Sequence, residues 1–530
     1  MPDAHAAADA TWTHDPSHYP EPMTPLSADV WFNAMGHGIR RATRELRAPF
    51  GGFATMTTAG GWAYEHELEP EWEPDPAHLE RAALDVADRW ERELRPACWA
   101  ITEELRAMRP ERPPPAEAVA LLDRLVEAVQ EQWRLHFLTV IPVHVAREVL
   151  HDAWVERFGK GDELEPYRLI EGLPNETLEA DERLWAIAER ARSLDVADIV
   201  LELPPGAALR RLELTHHGRE VLYDVAGYLR RFGGRARLHE LSEPRDAERP
   251  GAVLETIRLF LEHPRDLPAE RRAKAEARDR LEEETLRRID GPDDRAAFAD
   301  MLTRVTAAVP LEESHAYHID YPGLQATREA LLVFGHRLVA EGRIDAAADV
   351  WLLRLETLRN AVADAWGAPL QRLVDDRRAD LERARTTAPE PWLGPAPDPD
   401  AEVPPLVAKF YGVPGSARLE GDVLHGTAAS GGCATGVARL VRGPDDFARL
   451  RAGDVLVCRT TTPAWTPVFA SVAGLVTDTG GILSHAAVVA REYRLPAVVG
   501  AEVATTTIPD GSRVEVDGDT GAVRILRDRG

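Results

Sequence analysis

From about Trp31 to Arg385 apolar residues recur at every third or fourth position, with charged residues on the opposite faces, and this spacing constrains the fold more than any other feature. Stretches such as HLERAALDVADRWERELRPACWAITEELRAM and EAVALLDRLVEAVQEQWRLHFLTV predict long amphipathic helices. The texture then changes twice. Between Thr386 and Pro405 stand seven prolines, all from Pro389 onward, a composition that stops a helix and favours an extended spacer. At ~3.1 Å per residue such a spacer could reach roughly 60 Å. Beyond it, short β-branched runs (GVARLV, DVLVC, AGLVTD, RVEVDGDTGAVRIL) alternate with Gly, Asp and Pro turns. The expected architecture is multidomain: a polar N-terminal segment over 1–30, a mainly α-helical region over 31–385, a Pro-rich linker over 386–414 and a small C-terminal α/β swivelling domain over 415–530.

Composition narrows the partners. The 530 residues are 44% hydrophobic, enough for several buried cores, and 89 acidic against 63 basic side chains give a formal charge of -26. That charge disfavours nucleic acid and anionic membrane surfaces, so neither is expected as a partner. Cys98, Cys433 and Cys458 are scattered without ligand spacing and are read as reduced packing residues. The first residues lack a basic and apolar signal pattern, no run is long enough to span a bilayer, and the expected location is the cytoplasm.

One segment carries chemistry. In GGILSHAAVVAREYRLPAVVG, residues 480–500, a strand (GLVTD) gives way to a glycine turn and then to a helix beginning near Ser484. Free amide groups and the partial positive charge at a helix N-terminus suit an anion, and glycines let the backbone approach a phosphate. The same positive end keeps His485 neutral, hence nucleophilic. A neutral imidazole can take a phosphoryl group as a phosphoamidate and pass it on.

The whole tail, including HGTAASGGCATGVARLV, the stretch from Leu450 to Gly500 and IPDGSRVEVDGDTGAVRIL, resembles the mobile phosphohistidine domain of the phosphoenolpyruvate-utilising enzymes. The resemblance implies that His485 is the phosphorylated residue. It places Gly480, Gly481 and Ser484 in a phosphate cradle and gives Arg491 either the phosphate or a carboxylate that fixes the helix. Leu483 stands where the synthase and dikinase branches usually have threonine, and with TTPAWTPVF upstream it is more like the rifampin phosphotransferase branch. That branch implies an organic hydroxyl as acceptor.

The helical region is similar, over phrases such as EQWRLHFLTVIPVHVA and ESHAYHIDYPGLQATREALLVFGHRL, to the acceptor-binding region of rifampin phosphotransferase-like proteins. Relatives often read Tyr-Gly-His-Arg where this chain has Phe232, Gly233, Gly234 and Arg235, so a histidine role is not carried over there. Trp62, Trp133, Phe137 and Trp154 offer apolar material, with Trp133 and His136 the candidate acceptor pocket. His136, His144 and His151 fall within about 80° of one another on an ideal helix of about 100° per residue, which Pro142 is expected to bend or interrupt. His315 and His318, three residues apart beside Glu313 and Asp320, are candidates for the base that takes the acceptor's proton. Without a second ligand pair no metal is expected. The segment RDLPAERRAKAEARDRLEEETLRRID is read as a solvated structural arm.

No Gly-x-x-x-x-Gly-Lys loop occurs. The expected activity is therefore a phosphotransferase component whose donor, a separate ATP-grasp nucleotide-binding protein, brings ATP and Mg²⁺. His485 would then deliver the phosphoryl group to a small alcohol or phenol. Two other readings stand beside it: a non-catalytic phosphocarrier or regulatory binding protein, and activation of a carboxylate for condensation or dehydration.

Overall fold

The computed structural model describes residues 10–16, 18–108, 115–161, 164–236, 238–363, 367–397, 405–413, 415–461 and 465–526. The chain divides into two compact units, one of residues 1–153, 238–244 and 297–398, the other of 154–237, 245–296 and 399–530. The helical region expected over 31–385 as one domain is thus shared between both units. Helical periodicity reports the local element only, and carries no signal of which core each helix joins.

The first unit joins helices to a small antiparallel sheet. Its strands are β1 (Trp12–His14), β2 (Phe53–Thr57), β3 (Ala63–Glu67) and β4 (Trp392–Leu393), in the order β2-β3-β1-β4. Two sequence boundaries move as a result. The segment read as a polar N-terminus contributes β1, with Trp12 and His14 buried. The segment read as an open linker contributes β4, whose Trp392 and Leu393 pair with Thr13 and Trp12. Residues 1–9 and 17 of that N-terminal segment, and 398–404 and 414 of the linker, lie outside the described residues. A core of Leu26, Phe32, Leu122, Leu125, Phe334 and Leu338 gathers helices from both ends of the unit.

Helix starts follow local chemistry. Asp75 accepts from the His78 amide ahead of Pro76, Asn175 from Leu178, Thr215 from Gly218, and Asp266 from Ala269. Each cap satisfies an amide that the first helical turn leaves without a partner. The helix Pro115–Phe158 runs through Pro142 without a break, so of the two outcomes expected there, a bend or an interruption, the interruption does not occur. Proline removes one backbone bond and costs ~3 kcal/mol in a helix interior, an amount the buried faces of this 44-residue element outweigh.

The second unit packs helices against a nine-stranded sheet. Its strands are β5 (Arg418–Glu420), β6 (Val423–His425), β7 (Thr427–Ser430), β8 (Cys433–Leu440), β9 (Val455–Cys458), β10 (Gly474–Thr477), β11 (Ala497–Val499), β12 (Arg513–Asp517) and β13 (Ala522–Leu526). The order is β5-β6-β13-β12-β8-β9-β10-β11-β7, with β8, β9, β10 and β11 parallel and the remaining pairs antiparallel. Val455, Val457, Val476, Val498 and Val514 are fully buried, as β-branched runs in a sheet covered on both faces require. Half of the charged helix Leu267–Arg288 is exposed, but its Lys274 is buried, with Nζ donating to the Arg491 carbonyl and to Glu492.

Candidate functional site

His485 opens the helix His485–Tyr493, just past the end of β10, with Ser484 as N-cap. The Ser484 hydroxyl accepts from the Ala487 amide at 3.4 Å. Asp478, at the end of β10, accepts from the Thr505 amide at 2.9 Å, and the amides of Asp478 and Thr479 donate to the Cys458 and Arg459 carbonyls. The strand-turn-helix joint is therefore held from two sides.

The glycines do not form the expected cradle. Gly480 and Gly481 donate their amides to the Tyr411 and Phe410 carbonyls at 3.3 and 2.8 Å, and Leu483 donates to Lys409 at 2.7 Å. These carbonyls belong to the helix Pro405–Tyr411, part of the stretch read as linker. A Cβ at Gly481 would lie 2.3 Å from the Lys409 oxygen, and Gly480 holds φ +110. Both positions need glycine for close backbone packing. In this turn and first helical turn the amides of Ile482, His485 and Ala486 have no partner among the described residues, the last two at the helix N-terminus.

Arg491 is also a packing residue. It is buried, and its guanidinium donates to the Ala429 carbonyl at 2.9 Å, tying the helix to β7.

The imidazole itself is half-buried. Nδ1 lies 3.1 Å from Thr461 Oγ1, and Nε2 is covered and has no partner among the described residues. Burial, and secondly the charge of buried Arg235, push its pKa down to about 3. The ring is neutral at pH 7, as the helix-end argument expects, although desolvation is the larger cause. Part of the upstream TTPAWTPVF motif, residues 462–464, lies outside the described residues.

A second cluster lies in the first unit. His136 Nδ1 stands 2.9 Å from Asp320 Oδ1, His315 Nε2 stands 3.3 Å from Asp320 Oδ2, and the two imidazoles cross edge to face at 4.7 Å. The neighbouring imidazoles and their hydrogen bonds hold Asp320 well below the usual carboxylate range despite burial. Beside it Arg147 pairs with Glu312, with His144 Nε2 3.8 Å from the same carboxylate.

The sequence reading paired His315 with His318. The structure sets His318 against Trp90 at 5.6 Å instead and gives His315 the more distant Asp320 and His136. The cause is a π-helical turn over Ala316–Asp320. Five α-helical residues would place Asp320 about 140° round from His315, whereas i→i+5 bonding returns it to the same face. Gln132 fastens this turn by donating to the Ile319 carbonyl at 2.7 Å.

Trp133 is not an open pocket wall. It is 4% exposed, stacked on Phe137 at 5.7 Å and against Trp31 at 5.0 Å. Trp62 packs on His14, and Trp154 belongs to the other unit, so the four aromatics do not converge.

With this geometry in hand, the relatives place both regions. Residues 450–521 match the mobile domain of PEP-utilising enzymes, and residues 136–313 match the fourth domain of rifampicin phosphotransferase. The chain is 33% identical to chondramide synthase of Chondromyces crocatus over 97% of its own length but 14% of that protein. It is 30% identical to the uncharacterized phosphotransferase YvkC of Bacillus subtilis over 74% of its length and 47% of YvkC. It is 34% identical to a rifampicin phosphotransferase of Streptomyces sviceus over 63% of its length and 39% of that enzyme. The chain thus spans less than half the length of each of these relatives. Among the described residues no helix is long and apolar enough to cross a membrane. The chain is thus similar in two parts to PEP-utilising enzymes: residues 450–521, which hold His485, to their mobile domain, and residues 136–313 to the fourth domain of rifampicin phosphotransferase.

Proposed function

We propose that this chain is a phosphotransferase component that carries a phosphoryl group on His485 and delivers it to a hydroxyl of a small organic alcohol or phenol. The observation that carries this reading is a neutral imidazole at a helix N-terminus, inside a mobile domain, with Nε2 unpartnered and two free amides beside it. In the first step the Nε2 lone pair forms the N–P bond as the donor's P–O bond breaks and its electrons leave with the donor oxygen. In the second step the acceptor oxygen forms a new O–P bond, the P–N bond breaks, and the electron pair returns to Nε2 while the hydroxyl proton passes to a base.

The donor is assigned to a separate ATP-grasp protein, which would hold ATP and Mg²⁺. The covered Nε2 must become accessible before it can meet either donor or acceptor. Relatives that are named phosphotransferases support the class of reaction.

The test is to incubate the full chain with radiolabelled ATP and a candidate ATP-grasp protein, then look for acid-labile, base-stable label. Label is expected on the wild-type chain and absent from His485→Gln. Label of equal intensity on His485→Gln overturns the assignment.

A further inference from the structure

We infer that His136, His315 and Asp320 form a binding site for one divalent transition-metal ion of the zinc class. The inference goes beyond phosphotransfer and stands without it. One ligating atom from each residue lies within 4.8 Å of the other two, and Asp320 and His315 are buried.

The tautomer of His315 carries the argument. Its Nδ1 lies 2.9 Å from the Leu311 carbonyl, which can only accept, so Nδ1 bears the proton. In the neutral ring Nε2 is then a lone pair facing Asp320 Oδ2 at 3.3 Å, acceptor against acceptor. A positive charge must sit between them, either a second proton or a cation. His136 presents Nδ1 to the other oxygen of the same carboxylate at 2.9 Å, so two imidazoles converge on one anion.

Two further features favour the cation. A ligand histidine characteristically donates its remaining N–H to a backbone carbonyl, as His315 does to Leu311. A π-helical turn, uncommon and frequent at functional sites, is what brings Asp320 round to His315. Two imidazoles with one carboxylate suit Zn²⁺ and its neighbours rather than Mg²⁺ or Ca²⁺, and leave coordination positions for water or a ligand. Trp133 and Phe137, packed on His136 at 4.9 and 4.8 Å, supply an apolar flank. In the loaded protein His315 acts as a ligand, and removal of the acceptor's proton falls to another group.

The experiment uses the full chain, stripped with chelator and titrated with Zn²⁺ and separately with Co²⁺. One equivalent of zinc by elemental analysis, a rise in Tm on loading and a visible Co²⁺ d–d band are expected. His315→Gln and His136→Gln each remove a direct ligand and should weaken Zn²⁺ binding by more than the about 10–100-fold that loss of an outer-shell partner costs. His318→Gln and His485→Gln should leave it unchanged, which separates this site from the phosphohistidine. The Co²⁺ spectrum of the wild-type chain needs no variant to fold. Its absence at saturating Co²⁺, or undiminished Zn²⁺ binding in His315→Gln, overturns the inference.

Discussion

The phenol of Tyr493, two turns beyond His485 on the same helix, donates a hydrogen bond to Asp181 at 2.7 Å. Asp181 belongs to the helix Glu176–Ser193, so the histidine-bearing helix is docked within its unit through a buried acid. Burial raises the Asp181 carboxyl to about 6. Tyr493→Phe would leave that acid without its donor and should cost about 1–3 kcal/mol, measured by urea denaturation. Unchanged stability would show that the docked arrangement does not persist in solution.

Thr461 holds the ring from the Nδ1 side. Thr461→Val keeps the volume and removes the bond. Losing about 1 kcal/mol of orientation should slow phosphorylation of His485 roughly fivefold, read from the rate of label uptake with the fold unchanged by circular dichroism. A rate equal to wild type would mean the ring is oriented by packing alone.

The pH dependence has a definite sign. The His485 pKa falls from 6.5 to about 3 on folding, so the unfolded chain binds the extra proton more readily. The neutral ring's contribution is fully present above pH 6.5 and is lost progressively as the pH drops toward 3. Tm measured from pH 7 to 4 should therefore fall more steeply for wild type than for His485→Gln. Parallel curves would contradict the desolvated ring.

Gly481→Ala should destabilise the second unit by about 1–3 kcal/mol, because the new methyl meets backbone oxygens at Lys409 and Ala408 that have no rotamer to change. The comparison is Gly415→Ala, where open space surrounds the new carbon and the cost comes only from the positive φ. Equal Tm shifts in the two variants would argue against close packing at Gly481.

Much of this was legible in the chain. Caps at Asp75, Asn175, Thr215 and Asp266 are local signals, and each marks a helix start. His485 was found because strand, glycine turn and helix are consecutive. The roles of Gly480 and Gly481 were misread because a glycine serves equally to approach a phosphate or a neighbouring carbonyl, and the Lys409–Tyr411 partners are some 70 residues away. β4 escaped notice for the same reason: Trp392 and Leu393 gain their strand character from Trp12 and Thr13, at the other end of the sequence. Asp320 is read beside His315 in the sequence, but 3.6 residues per turn gives His318 the better place on that face, and no local signal joins His136, 184 residues away, to the pair.

That wider turn makes the cluster around Asp320 depend on how the backbone winds as well as on which side chains it carries. Were the same five residues rewound as an ordinary α-helical turn, every polar group would be kept, yet the carboxylate would stand about 140° round from His315 and part company with its ring. The frame is therefore a property of main-chain coiling, held in place where Gln132 grips the Ile319 carbonyl.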